Sequence, residues 1–248
     1  MSTPAPEPLL DPARLIAQQQ PVVLRGLVRD WPLVAKGFEG PEAAVAYLKS
    51  FYTGTAVVGY SGPPEIGGRF FYNADMTAMN FTATRVKLDA FLDRMLATRD
   101  NPHAEALYVG STDLDTYLPG FRAENDLALP LEAFGGATPL ASIWIGNRTT
   151  AATHYDMSNN IACCVVGRRR FTLFPPDQIA NLYPGPLEPT PGGQVVSMVD
   201  ARAPDFDRYP RFAAALETAP VCDLEPGHVL VYPALWWHHV EALDPFNV

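Results

Sequence analysis

In KLDAFLDRMLAT the apolar residues Leu88, Phe91, Leu92, Met95 and Leu96 recur three and four positions apart with charges between them, the period of a helix with one buried stripe. GPEAAVAYLKSF, residues 40–51, opens with proline at a helix-start position and sets Val45 and Leu48 on one side, which predicts a second helix. A shorter helical piece over Ala13 to Gln18 lies in a proline-rich arm, residues 1–20, and VVLRGL after Pro21 reads as a first strand. Beyond the second helix the period changes to that of strands. ALYVG, ASIWIG, AATHYDM, IACCVV, RFTLFP, QVVSM, HVLVYP and LWWHHVE are short β-branched or aromatic runs punctuated by Gly, Pro and Asn. Short helices are expected in PDQIANLYP and DFDRYPRFAAALE, between these runs. The pattern predicts a mainly β chain, a double-stranded β-helix or jelly roll with flanking N-terminal helices, as one domain over residues 21–248.

Composition narrows the function classes. The 27 acidic and 18 basic residues give a net charge of -9, and Arg168, Arg169 and Arg170 form the one basic run, so nucleic acid is not an expected partner. Long-range steering favours a neutral or basic partner instead. The start, MSTPAPEPLLDPARLIA, has no basic n-region followed by an apolar run, and no stretch reaches the roughly 20 apolar residues a bilayer span requires. A soluble, cytoplasmic protein is expected, with no membrane partner. Cys163, Cys164 and Cys222 are too few for a disulfide framework, and their apolar neighbours mark them as buried thiols in a reducing compartment.

Candidate chemistry begins with THYDMSNN. On a strand, His154 and Asp156 point the same way, and a distal histidine in PALWWHHVEAL can close a three-sided metal site. Two histidines and one carboxylate on one face leave the opposite coordination positions open, the arrangement of non-haem Fe(II) oxygenases. The same spacing also describes a surface pair plus a core histidine. His238 and His239 compete for the third position, because adjacent strand residues face opposite ways: Trp236, His238 and Val240 share one face, and Trp237, His239 and Glu241 the other. His103 and His228 follow turn-like segments and are expected to face solvent. A buried dicarboxylate co-substrate needs a cation and hydrogen-bond donors. Arg169 alternates in register with Phe171 and Leu173 and is expected to point inward, whereas Arg168 and Arg170 go with Thr172; Tyr108 and Asn160 are candidate neutral donors.

With these residues in view, the sequence from Pro21 onward resembles the cupin-like JmjC Fe(II)/2-oxoglutarate oxygenases, and most closely their asparaginyl-hydroxylase branch. HYDMSNN, a glycine before the basic run, FPPDQIANLYPGP, DFDRYPRF and PGHVLVYPALWWHHVEAL occur in the family's order and spacing. The resemblance implies that His154, Asp156 and His238 are the Fe(II) ligands and catalytic centre, the first histidine of WWHH being the ligand. It implies 2-oxoglutarate contacts from Tyr108, Asn160 and Arg169, the last standing where the family has a lysine. Ala151 stands where the family has a threonine hydroxyl on the co-substrate, with Thr150 and Thr153 as open substitutes. The chain stops at DPFNV, short of the family's C-terminal dimerising helices, so oligomeric state is left open. The implied activity is a dioxygenase that consumes dioxygen and 2-oxoglutarate and hydroxylates an amino-acid side chain in a peptide or protein. Two alternatives are an N-methyl demethylase of the same family and a non-catalytic cupin-like metal-binding or scaffold protein.

Overall fold

The computed structural model describes residues 11–129, 136 and 138–248. The chain forms helices α1 (Pro12–Ala17), α2 (Pro32–Glu39), α3 (Pro41–Phe51), α4 (Leu88–Thr98), α5 (Leu114–Tyr117) and α6 (Phe212–Glu217). Its strands are β1 (Val22–Leu24), β2 (Val57–Gly62), β3 (Arg69–Phe70), β4 (Thr82–Val86), β5 (Ala106–Asp113), β6 (Ser142–Gly146), β7 (Thr150–His154), β8 (Asn160–Cys163), β9 (Arg169–Phe174), β10 (Val221–Leu224), β11 (Val229–Tyr232) and β12 (Trp237–Ala242).

The strands make three sheets, in the orders β10-β9-β12-β7-β3, β1-β11-β8 and β4-β2-β5-β6. Every pairing is antiparallel except β3 with β7. The mainly β chain with few helices forms a cupin-like jelly roll. Strand alternation builds its interior: Phe171 and Leu173 of β9, Leu224 of β10, and Leu230 and Tyr232 of β11 form one buried cluster with Cys164 and Trp236, against which Val240 packs. The opposite faces of the same strands, with Phe174 and Trp237, bury against α6 through Phe212 and Ala215. A fully buried side chain of this size contributes about 1.5–3 kcal/mol, so both faces of β9 and β12 are tightly specified.

The helices lie against the sheets as their stripes predict. Leu88, Phe91, Leu92 and Met95 of α4 and Ala44, Val45 and Leu48 of α3 are buried in one core with Leu107, Val109 and Ile145. Leu15 of α1 joins this core. The buried side chain of Asn147 stitches the sheet edge, accepting from Leu107 N at 3.0 Å and donating to Glu105 O at 2.8 Å. Backbone groups of Asn247 and Val248 bond to Gly146, Val165 and Val166.

Several elements differ from the sequence reading. The segment QVVSM makes only isolated bridges, Val196 to His154 and Ser197 to Pro184, and VCDL, unassigned from sequence, is a full strand of the five-stranded sheet. Helix α2 and strands β2, β3 and β4 were also not anticipated. Among the described residues no helix is long and apolar enough to cross a membrane.

Candidate metal centre

The site grows out of one strand pair. On β7 and β12, His238 lies opposite His154 while Val240 lies opposite Ala151. Ala152 and Thr153 of β7 thus oppose the single residue His239, which is a β-bulge. The bulge shifts the alternation of β7 by one, so that His154 and Ala151 both stand opposite inward-facing residues of β12. Beyond the strand end the chain turns, and Asp156 returns to the histidine pair. Two contacts fix that turn to the segment preceding β12: Leu235 N donates to Asp156 O at 2.9 Å, and Ala234 N donates to Asn159 Oδ1 at 2.9 Å.

One ligand atom each from His154, Asp156 and His238 lies within 4.8 Å of the others. The imidazole centroids are 4.2 Å apart, and His238 Nε2 is 3.6 Å from Asp156 Oδ2. Both rings are oriented through Nδ1, His154 against the carbonyl of Ala152 at 2.8 Å and His238 against that of Trp236 at 3.1 Å. A backbone carbonyl can only accept, so each Nδ1 carries a proton, which leaves Nε2 as the ligand atom in the tautomer a metal requires. Burial, reinforced by neighbouring His154, holds His238 well below the ordinary histidine range and so neutral. Asn160 Nδ2 donates to Asp156 Oδ2 at 3.1 Å, steadying the carboxylate. Orientation, protonation and donor types all fit a divalent metal of the kind held by two histidines and a carboxylate.

The triad lines a cavity of about 1390 Å³ that also reaches Tyr108, Arg169 and Tyr232. Of the three arginines, Arg168 pairs with Asp244 and Arg170 with Asp223 on the surface. Arg169 has no carboxylate partner among the described residues: its Nη2 donates to Trp144 O at 3.2 Å and its buried Nε has no partner. Burial pushes the Tyr108 hydroxyl up to about 12 against the opposing charge of Arg169, which keeps it a protonated donor. A half-buried guanidinium without a carboxylate partner among the described residues, beside a protonated phenol, has the chemistry that suits a carboxylate.

The remaining candidates separate cleanly. His239 is 1% exposed on the reverse face, with Nδ1 3.4 Å from Thr153 Oγ1 and Nε2 3.7 Å from Glu241 Oε1, so it is neither at the triad nor at the surface. Thr150 Oγ1 accepts from Arg202 at 3.2 Å, so both substitutes considered for a hydroxyl at Ala151 are engaged elsewhere. Asn160 contacts Asp156 and the carbonyl of Ser158. His103 is exposed, whereas His228 is half-buried and accepts from Glu225 N through Nδ1. Sequence reasoning missed Tyr232, whose ring centroid is 4.9 Å from that of His238. Its signal was present: in HVLVYP, Tyr232 alternates onto the face of Leu230, the barrel interior.

A jelly roll carrying two histidines and a carboxylate on facing strand ends defines a metal-binding cupin. Residues 8–248 match the family model of the cupin-like domain, and the chain belongs to that family. It is 27% identical over 237 residues to lysine-specific demethylase 8 of Xenopus tropicalis, which covers 92% of this chain and 47% of that protein. It is 28% identical over 252 residues to HSPB1-associated protein 1 of Homo sapiens, 94% and 47% covered respectively. JmjC domain-containing protein D of Dictyostelium discoideum is 26% identical over 245 residues, covering 90% of this chain and 49% of its own length. The chain therefore spans about half the length of these curated relatives.

Proposed function

We propose that this protein is an Fe(II)- and 2-oxoglutarate-dependent dioxygenase that hydroxylates an uncharged amino-acid side chain in a peptide or protein. The observation that carries the reading is the convergence of His154, Asp156 and His238 within 4.8 Å at the wall of a large cavity. JmjC-named relatives over most of the chain support it. When bound, iron and 2-oxoglutarate supply activation of dioxygen coupled to decarboxylation of the 2-oxo acid to succinate.

The chain's own residues set the conditions. His154 and His238 are oriented through Nδ1 so that Nε2 is the ligand atom, and Asn160 donates to Asp156 Oδ2, the oxygen 3.6 Å from His238 Nε2. Arg169 and Tyr108 would hold the far carboxylate of 2-oxoglutarate, the arginine by charge and the phenol as a hydrogen-bond donor. The remaining cavity is poor in counter-charge. Among the described residues its carboxylates are Asp156, assigned to the metal, and Asp126, which is paired with Arg122 at 2.7 Å. Placing an ammonium there would leave a desolvated charge without a partner, so an uncharged target side chain is favoured. Demethylation of an N-methylated side chain is the second reading, because one relative is named a lysine-specific demethylase. Three free thiols, all at least half-buried, support our reading of a reducing compartment, the cytoplasm.

Succinate release measured with neutral and N-methylated candidate peptides, in wild type and in His154→Ala, tests the proposal. Peptide-stimulated release that disappears in the variant, with the peptide gaining one oxygen, is the expected result. Release that persists in His154→Ala overturns the assignment, and loss of a methyl carbon transfers it to the second reading.

A further inference from the structure

Tyr232 ends β11 directly opposite Asn160 of β8, with its ring turned into the barrel beside His238 at 4.9 Å and Phe171 at 6.3 Å between centroids. The residue is 5% exposed and lines the same cavity as the triad. Its hydroxyl has no hydrogen-bond partner among the described residues, and it is absent from the polar atoms sealed off without one; it therefore opens onto the cavity. Open to the cavity and without a partner among the described residues, the hydroxyl is free to donate to what the cavity holds.

The strand across the barrel lacks a hydroxyl of its own. Ala151 faces inward on β7 with a methyl group, while Thr150 is bound by Arg202 and Thr153 by His239. We propose that Tyr232 is a further co-substrate-binding residue, its hydroxyl donating a hydrogen bond to a carboxylate of the 2-oxo acid and supplying from β11 what β7 does not. This rests on the reading of the cavity as a 2-oxoglutarate site. Tyr232, Tyr108 and Arg169 line this one cavity from three strands, β11, β5 and β9.

Calorimetry on metal-depleted protein loaded with Mn(II) tests the proposal, with 2-oxoglutarate as titrant and Tyr232→Phe as the shape-conserving variant. Loss of a hydrogen bond to a charged group predicts affinity for 2-oxoglutarate weakened by about tenfold or more, with Mn(II) affinity and thermal midpoint unchanged. A residue that merely packs would leave the 2-oxoglutarate affinity alone. Equal affinity in wild type and Tyr232→Phe overturns the role of Tyr232. Failure of the wild type to bind 2-oxoglutarate, with Mn(II) bound, overturns the co-substrate reading beneath it. In Tyr232→Phe, the change Ala151→Thr restores a hydroxyl from the opposite wall and is expected to recover part of the lost affinity.

Discussion

At the scale of single residues, adjacent histidines have opposite fates. His238 points at Asp156 and His154, while His239 is sealed behind the sheet against Thr153 and Glu241, its basicity lowered by burial to about 4. Strand alternation separated the two faces from sequence alone, and the resemblance chose between them. The inward orientation of Arg169 was also legible, because Phe171 and Leu173 mark its face. Arg169→Met is expected to leave Mn(II) binding intact and weaken 2-oxoglutarate binding at least tenfold by calorimetry, since it removes the cavity's one unpaired cation among the described residues. The cysteines give a second prediction at this scale. Burial raises Cys163 to about 12 and Cys164 and Cys222 to about 11, so the thiolate fraction at pH 8 is very small. Ellman's reagent on the native protein should report slow reaction at all three sites; a rapid burst of three equivalents contradicts their burial.

At the scale of elements, the site depends on a bulge and on turns that hydrophobic patterning does not reveal. AATHYDM was legible as a strand, but the extra residue opposite His239 is a property of the β7–β12 pairing, which a single-strand pattern cannot express. VCDL escaped notice because Val221 and Asp223 are exposed and only Leu224 is buried, leaving a weak apolar signal on an edge strand. QVVSM looked like a strand because Val196 and Ser197 are buried, yet they reach the sheet through single bridges. Helix α2 escaped the pattern although Pro32 marks its first turn; Gly37 inside it lets the helix approach Val166 closely, a Cβ there lying 3.0 Å from Val166 Cγ2. Gly167, at the turn into β9, has φ +67, and a Cβ would come within 2.4 Å of Phe246 O. Gly167→Ala should lower stability by more than about 2 kcal/mol in urea denaturation, from the left-handed backbone and the clash together.

The segment behind β7 supplies an electrostatic prediction. Asp200 receives a bidentate contact from Arg202 and lies 3.8 Å from Arg69, whose guanidinium stacks on Phe71. Burial alone would raise the Asp200 carboxyl, but hydrogen bonds and charge from Arg202, aided by Arg69, bring it below its ordinary value. A depressed folded-state value means that this contribution to stability is complete above about pH 4, the unfolded carboxyl value, and fades as pH falls through the folded one. Asp200→Asn should destabilise by about 1–3 kcal/mol at pH 7 and flatten that acid limb, as read from urea midpoints across pH.

At the scale of the whole molecule, the mainly β class and the helices before it followed from the switch in period near residue 106, and the family match over residues 8–248 agrees with the jelly roll. The anchoring of Gly146, Val165 and Val166 by Asn247 and Val248 was not legible, since it joins segments that only the closed barrel brings together. A preformed site also links metal to global stability: a ligand at 100 times its Kd stabilises the folded state by about 2.7 kcal/mol, a rise of a few degrees in Tm for a chain of this size. The central claim, that His154, Asp156 and His238 hold one metal ion, is tested most directly by titrating Mn(II) into metal-depleted wild type, His238→Ala and His239→Gln. The account predicts one equivalent bound by wild type and His239→Gln, and binding lost in His238→Ala. Undiminished binding in His238→Ala, or loss confined to His239→Gln, contradicts it.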